Sequence, residues 1–153
     1  MSVLSPLALA VLPACGDGPA EEHHQEGEGT CAGEVAAEPY AAGLVKVGAA
    51  GVFTVELASS LPAPPAKGDN RWTLKVRDDH GSPVEGATVS VVPYMPAHGH
   101  GAATDPVVTP SGAPGEYLAD PVNLSMPGVW EITVTVAGDG GTDTAGFVFC
   151  VEG

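Results

Sequence analysis

The sequence predicts an all-β protein, an immunoglobulin-like antiparallel β-sandwich of about seven strands. Short segments of alternating apolar and polar residues recur along the chain with turn residues between them, which is typical of such sandwiches. Gly (21) and Pro (15) are frequent among the 153 residues. A mostly helical protein does not tolerate this density, because an interior Pro costs about 3 kcal/mol and a Gly about 1 kcal/mol. Hydrophobic residues make up 44% of the chain, enough for the core of one domain.

Six segments alternate between apolar and polar residues and are therefore predicted strands. In 71–77 Trp72 and Leu74 share one face, and charged and polar residues occupy the other. The segment 129–136 repeats this spacing around Trp130. Clusters of Gly, Asp, Ser and Pro separate the segments, as expected for turns. The remaining predicted strands are 52–57, 88–94, 115–124 and 145–151, and the predicted turns are 78–83 and 138–142.

The charge balance argues against two classes of partner. The chain has 19 Asp and Glu against 5 Lys and Arg, a net charge of −14. Nucleic acid is bound through clustered Lys and Arg, so it is excluded, and anionic lipid surfaces are disfavoured for the same reason. The sequence also lacks a Ser-His-Asp spacing, a G-x-S-x-G elbow and paired carboxylates in one local motif. We therefore expect a protein that is not an enzyme.

Residues 1–14 are predicted to be a signal peptide and not part of the fold. They are apolar but too few to span a bilayer, which needs about 20 apolar residues. The run 12–15, Leu-Pro-Ala-Cys, resembles a bacterial lipobox in which Cys15 carries the lipid. A plain secretory signal and a buried N-terminal strand remain as alternatives. The lipobox predicts an extracytoplasmic lipoprotein, in the periplasm or at the cell surface, that meets the membrane only through its lipid anchor.

Residues 15–40 are predicted to be an acidic, flexible tether, and the folded domain is expected over 41–153. After Cys15 the tether is rich in Gly, Glu and Ala and contains no Lys or Arg. Such a composition buries too little surface to offset the entropy lost on ordering. His23 and His24 lie among its glutamates. They form either a weak metal site or part of a solvated linker that happens to contain His.

The chain has three cysteines, Cys15, Cys31 and Cys150. If Cys15 is acylated, an even pair remains, which an oxidising compartment would join. A Cys31–Cys150 disulfide would fasten the end of the tether to the last predicted strand. The alternative is a pair of free thiols. No CxxC spacing is present, so a thioredoxin-type redox motif is excluded.

The loop 93–101 carries the densest group of metal-binding residue types. His98 and His100 are separated by one Gly, and residues i and i+2 of an extended segment point the same way. Met95 precedes them, and Met126 lies beside Pro at the entry to a later strand. Imidazole with thioether suits copper, with Cu(I) favoured by the thioether and Cu(II) as the other candidate. The alternative is that the histidines are exposed turn residues and the methionines fill gaps in the core.

The chain resembles the YtkA-like domain family in three motifs. These are the MPxHGHG loop at 95–101, the Gly-x-Tyr strand at 115–117 and the Met-Pro-Gly-x-Trp strand entry at 126–130. The resemblance extends over about residues 45–152. It implies an extracytoplasmic immunoglobulin-like domain, often lipid-anchored, in a family with members linked to copper handling and to assembly of the copper centres of respiratory oxidases. The related FixH group shares the fold and is tied to oxidase maturation.

Two functions from different classes are therefore expected. The first is an extracytoplasmic copper-binding lipoprotein, either a periplasmic copper carrier or chaperone or an assembly factor for oxidase copper centres. Its partners would be the copper ion and a membrane-bound copper protein, which would accept the ion from the 95–101 end of a monomer. The part of the chain after Arg77 contains Asp and Glu but no Lys or Arg. Such an acidic region attracts cations and favours an acceptor with a basic surface. The second function is a structural or adhesive surface domain that binds no metal.

Overall fold

The computed structural model describes Cys31 and residues 37–153, which form two packed β-sheets. The predicted signal peptide and the residues Cys15, His23 and His24 lie outside the described residues. Over the described residues the chain has nine strands and no helix, so the predicted all-β antiparallel sandwich is confirmed. This part of the chain accordingly offers no helix long and apolar enough to cross a membrane.

The nine strands are, in chain order, β1 Leu44–Val47, β2 Phe53–Leu61, β3 Gly68–Asp78, β4 Thr88–Met95, β5 His100–Gly101, β6 Val107–Pro110, β7 Glu116–Leu124, β8 Gly128–Gly138 and β9 Gly141–Val151. One sheet has the strand order β1-β2-β3-β7-β6, and the other has the order β5-β4-β8-β9. Every neighbouring pair is antiparallel. The chain therefore passes between the sheets after β3, β5 and β7.

The core lies between the inner faces of the two sheets. The alternation that predicts the long strands is reproduced in their burial, with the apolar residue of each pair buried. The largest fully buried side chains are aromatic, and Trp72 of one sheet meets Phe147 and Phe149 of the other edge-on, at ring-centroid distances of 6.1 and 5.8 Å. Such aromatic pairs contribute about 0.5–1.5 kcal/mol beyond their burial. They hold the sheets together across the middle of the sandwich.

Three of the nine strands are not predicted from the sequence, and all three lie at sheet edges. They are β1, β5 and β6, of four, two and four residues. An edge strand is half-exposed, so its burial imposes little alternation on its sequence. The predicted turn at 138–142 is shorter than expected, because β8 continues to Gly138 and β9 starts at Gly141. The φ of Gly141 is 120°, a conformation that favours glycine.

The predicted Cys31–Cys150 disulfide is present, with a Cα–Cα distance of 5.5 Å. It joins the segment before the domain to β9, which is one of the two edge strands of its sheet. The same segment bonds β9 through Glu38. The backbone N–H of Glu38 donates to the carbonyl of Val148 at 2.8 Å, and Val148 N–H donates to Glu38 Oε1 at 3.0 Å. Lys46 of β1 forms an ion pair with the same carboxylate.

Tyr40 adds a second contact from this segment. Its ring meets Phe149 edge-on at 6.0 Å, and its hydroxyl accepts the N–H of Ser60 at 2.9 Å. We call Cys31 and residues 37–40 the strap. Glu38 and Tyr40, which belong to the predicted tether, thus contact the folded domain.

The sandwich has two distinct ends. β4 begins at Thr88, opposite Ala137 of β8, and ends at Met95. The end of β4, the turn 96–99 and the β7–β8 connection 125–127 therefore lie at one end, which we call the histidine end. The opposite end contains the turn after β3 and the β8–β9 turn. A cleft of about 460 Å³ lies there, lined by carboxylates including those of Asp78, Asp79 and Asp139, so we call it the acidic end.

Candidate metal site

The loop that carries the two histidines is a tight hairpin turn between β4 and β5. The carbonyl of Met95 accepts the backbone N–H groups of Gly99 at 2.9 Å and of His98 at 3.2 Å. Gly99 has φ of 66°, in the left-handed region that a residue with a Cβ rarely adopts. The sequence Pro-Ala-His-Gly thus closes the turn in four residues, with Pro96 setting its start. His98 thus lies within the turn and His100 directly after it, at the start of β5.

His98 and His100 lie next to each other and are both exposed. Their ring centroids are 5.8 Å apart, with an angle of 62° between the rings. His100 Nδ1 lies 2.8 Å from the carbonyl oxygen of Gly101. Because a carbonyl only accepts, Nδ1 carries the proton in this bond, and Nε2 keeps its lone pair for a ligand. The histidine pair is therefore accessible, and the Nε2 atom of His100 is available to bind a metal ion.

Met95 lies on the inner face of the same sheet and is fully buried. It is the ladder partner of His100, and ladder partners point to the same face of a sheet. Its side chain is 0% exposed and belongs to the core cluster. The position beside Pro at the end of a strand suggested a ligand at the surface. The alternation of β4 instead continues through Met95, because its side chain has the parity of Val89 and Val91, which are buried as well.

Met126 reaches the same end from the β7–β8 connection. It is partly buried and packs against the core. Its carbonyl accepts the indole N–H of Trp130 at 2.9 Å. The Trp130 ring lies 6.4 Å from that of His100, at an angle of 74°. The four residues predicted as metal ligands thus belong to one end of the sandwich, with His98, His100 and Met126 at its surface and Met95 beneath them.

A second group of metal-binding residue types lies at the acidic end, in a segment that the sequence predicts only as a turn. One ligand atom each from Asp78, Asp79 and His80 lies within 4.8 Å of the others, so this exposed group could hold a metal ion. His80 Nδ1 lies 2.5 Å from Asp79 Oδ1. Asp78 Oδ1 already accepts the N–H groups of His80 and Ser82, which close the turn. The consecutive Asp-Asp-His residues were the signal available in the sequence.

Comparison with known proteins supports the resemblance in the sequence. The model of a family described as YtkA-like matches residues 48–135, which is more than half of the chain. No significant match was found among curated proteins or among solved structures. The matched range contains the histidine loop, Met126 and Trp130, and it includes β2 to β7 and most of β8. The chain therefore belongs to the YtkA-like family.

Proposed function

We propose that the protein binds one copper ion at the histidine end and acts as an extracytoplasmic copper carrier or as an assembly factor for copper centres. The observation that supports this best is the exposed pair His98 and His100 at a ring distance of 5.8 Å, at the same end as Met126. Two imidazoles and a thioether form a donor set that suits copper, and the thioether favours Cu(I). Copper is here the cargo of the protein.

The His98→Ala/His100→Ala double variant is expected to lower copper affinity at least about 100-fold, since even outer partners of a metal site contribute 10–100-fold. A competition titration of the full chain with a chromophoric Cu(I) chelator measures this. The matched control is His80→Ala, which removes an exposed histidine at the acidic end. It should keep wild-type affinity and a stoichiometry of about one. Equal losses in both variants would contradict the proposed site. Absence of copper binding by the wild type would instead favour a structural or adhesive domain.

The two methionines should contribute unequally. Met126→Leu is expected to weaken Cu(I) binding about tenfold and to affect Cu(II) less, because thioether prefers the softer ion. Met95→Leu should cause a smaller loss, because its thioether is fully buried, and it should cost less than about 1.5 kcal/mol of stability as a volume-conserving change. Parallel Cu(I) and Cu(II) titrations with urea denaturation measure both effects. A larger loss for Met95→Leu would place the ion on the core side of the loop.

The proposed function also implies a cellular location outside the cytoplasm and a lipid anchor. A carrier that serves membrane-bound copper proteins acts outside the cytoplasm, and a disulfide such as Cys31–Cys150 persists in oxidising compartments. We infer that Cys15 carries a lipid and that the domain is held at a membrane surface by it. Mass spectrometry of the protein from membrane fractions should show acylated Cys15. A mature N-terminus at another residue, without acyl mass, would contradict the anchor.

Transfer to a basic acceptor should depend on charge near the histidine end. A useful charge reversal replaces a carboxylate that bonds no other side chain. Two acidic residues of β7 fail this requirement, because Asp120 pairs with Arg71 at 2.6 Å and Glu116 accepts the Ser111 hydroxyl at 2.8 Å. Asp105 is exposed in the segment that follows β5, so Asp105→Lys changes charge with less disturbance.

We expect Asp105→Lys to slow copper transfer severalfold at low salt. The difference in rate between this variant and the wild type should disappear at high salt, once the Debye length falls well below about 8 Å. Stopped-flow transfer rates at increasing salt measure it, with Asp139→Lys at the acidic end as control. A rate independent of salt and of Asp105 would exclude electrostatic steering.

A further inference from the structure

Trp130 connects the parts of the candidate copper site. It lies in β8, its side chain is 0% exposed, and its backbone is paired with Phe149 of β9. Its indole N–H donates to the carbonyl of Met126 at 2.9 Å, and its ring lies 6.4 Å from that of His100. One rigid side chain thus contacts the β7–β8 connection on one side and lies beside the histidine loop on the other.

Met95 is aligned with the same tryptophan. The β4–β8 ladder pairs Tyr94 with Glu131, and one further step along both strands brings Met95 level with Trp130. Both side chains are fully buried on the inner face. The indole therefore lies in a row with Met95 and with His100, the ladder partner of Met95. This row runs across β5, β4 and β8 at the histidine end.

The second tryptophan lacks such a connection. Trp72 is as deeply buried as Trp130, but its indole nitrogen has no hydrogen-bond partner among the described residues. A buried indole N–H normally finds a partner. Trp130 finds its partner in the backbone of Met126, so the bond that satisfies this indole also ties it to the β7–β8 connection. It closes a short loop over Pro127 and Gly128, whose φ is 130°.

We propose that Trp130 is a positioning residue that holds the Met126 segment at a fixed place relative to His100, and so sets the preference of the site for Cu(I) over Cu(II). The inference rests on the proposed function and deepens it. A loop that is already ordered loses less conformational freedom when its side chain takes up a metal. Removing the indole N–H frees the carbonyl of Met126 and loosens the thioether. The histidine pair keeps its own turn, so binding through imidazole alone is retained.

Trp130→Phe keeps an aromatic ring in the core and removes the hydrogen bond to Met126. The matched control is Trp72→Phe, which removes an indole whose N–H has no partner in the part of the chain that the structure describes. Cu(I) and Cu(II) affinities of the full chain are measured for both variants, for Met126→Leu, and for Trp130→Phe combined with Met126→Leu. We expect Trp130→Phe to weaken Cu(I) binding about tenfold, as for the loss of one ordering hydrogen bond, and Cu(II) binding less than about twofold. The combined variant should bind Cu(I) no more weakly than Met126→Leu alone.

Two outcomes overturn the inference while leaving the proposed function in place. The first is a Trp130→Phe variant with the wild-type ratio of Cu(I) to Cu(II) affinity, and the second is fully additive losses in the combined variant. A wild-type protein that binds no copper would contradict the proposed function, and the inference that rests on it would fail as well.

A second measurement needs no variant of Trp130. The chain contains two tryptophans, so two indole N–H signals are expected, and Trp72→Phe assigns them. Addition of diamagnetic Cu(I) should shift the Trp130 signal and leave that of Trp72 in place. The reverse result, or no shift at saturation, also overturns the inference.

Discussion

Replacing Asp143 by Asn is expected to lower the free energy of unfolding by about 3 kcal/mol at neutral pH. Asp143 lies in β9, is 4% exposed, and accepts four backbone N–H groups with its carboxylate. Oδ1 accepts from Ala50 and Thr144 at 2.7 and 2.8 Å. Oδ2 accepts from Val52 and Phe53 at 2.8 and 3.2 Å. An amide oxygen can replace one of these atoms, but the amide NH₂ then faces two N–H donors.

The effect should depend on pH in a defined direction. Burial disfavours the charged form and would raise the pKa of Asp143, but the four backbone N–H groups outweigh it and hold the pKa below its usual value of 3.8. A depressed folded-state pKa means that the carboxylate contributes fully above the unfolded pKa and loses its contribution as pH falls through the folded value. The stability difference between the wild type and Asp143→Asn should therefore be constant at neutral pH and should narrow as the pH falls below the unfolded pKa of about 3.9, as measured by urea denaturation from pH 7 downward.

Asp139→Asn is the matched control for this prediction. Asp139 is exposed in the β8–β9 turn, so its replacement should change stability by less than about 0.5 kcal/mol. Gly48→Ala tests the same contact from the other side, because a Cβ at Gly48 would lie 2.2 Å from Asp143 Oδ2. It should reproduce a loss similar to that of Asp143→Asn. Equal losses at Asp139 and Asp143 would show that the effect is one of net charge and not of the buried bonds.

The long strands were predictable because two-sided burial imposes a period of two on their residues. In β3 the alternation around Trp72 and Leu74 is complete, and the structure extends the predicted strand by only a few residues. β5 was not predictable, because its two residues, His100 and Gly101, pair with β4 at a sheet edge and carry no pattern. The buried role of Asp143 was equally hidden. Its partners lie 90 to 93 residues away in sequence, apart from Thr144 beside it.

The residues of the candidate site were predictable from the sequence, but which of them are exposed and which are buried was not predicted. The spacing of His98 and His100 correctly indicates neighbouring exposed imidazoles. The burial of Met95 could have been inferred by continuing the alternation of β4, since every second residue from Val89 onward faces the core. The bond between Trp130 and Met126 depends on a side-chain rotamer and on the path of the β7–β8 connection, and neither leaves a pattern in the sequence.

Loss of the Cys31–Cys150 disulfide is expected to lower the free energy of unfolding by up to about 4–5 kcal/mol in the chain-entropy model. The two cysteines are separated by 119 residues, so the bond closes a loop that includes nearly the whole domain. Denaturation of the full chain with Cys31→Ser/Cys150→Ser, compared with the wild type before and after reduction, measures the loss. The double replacement avoids leaving one member of the pair as a free thiol that could pair between molecules.

The same variant should also associate more readily. β9 is an edge strand of eleven residues whose one charged side chain, Asp143, is buried. Edge strands without outward charges pair with other chains unless something covers them. The strap covers β9 through the bonds of Glu38 to Val148 and through the disulfide at Cys150.

Size-exclusion chromatography with light scattering should therefore show a monomer for the oxidised wild type and concentration-dependent dimers for the variant. Glu38→Ala in the oxidised protein is the matched comparison. It removes the side-chain bond to Val148 and the ion pair with Lys46 but keeps the disulfide, so it should associate less than the double cysteine variant. A double cysteine variant that is monomeric and as stable as the wild type would show that Glu38 and Tyr40 hold the strap on β9 without the disulfide.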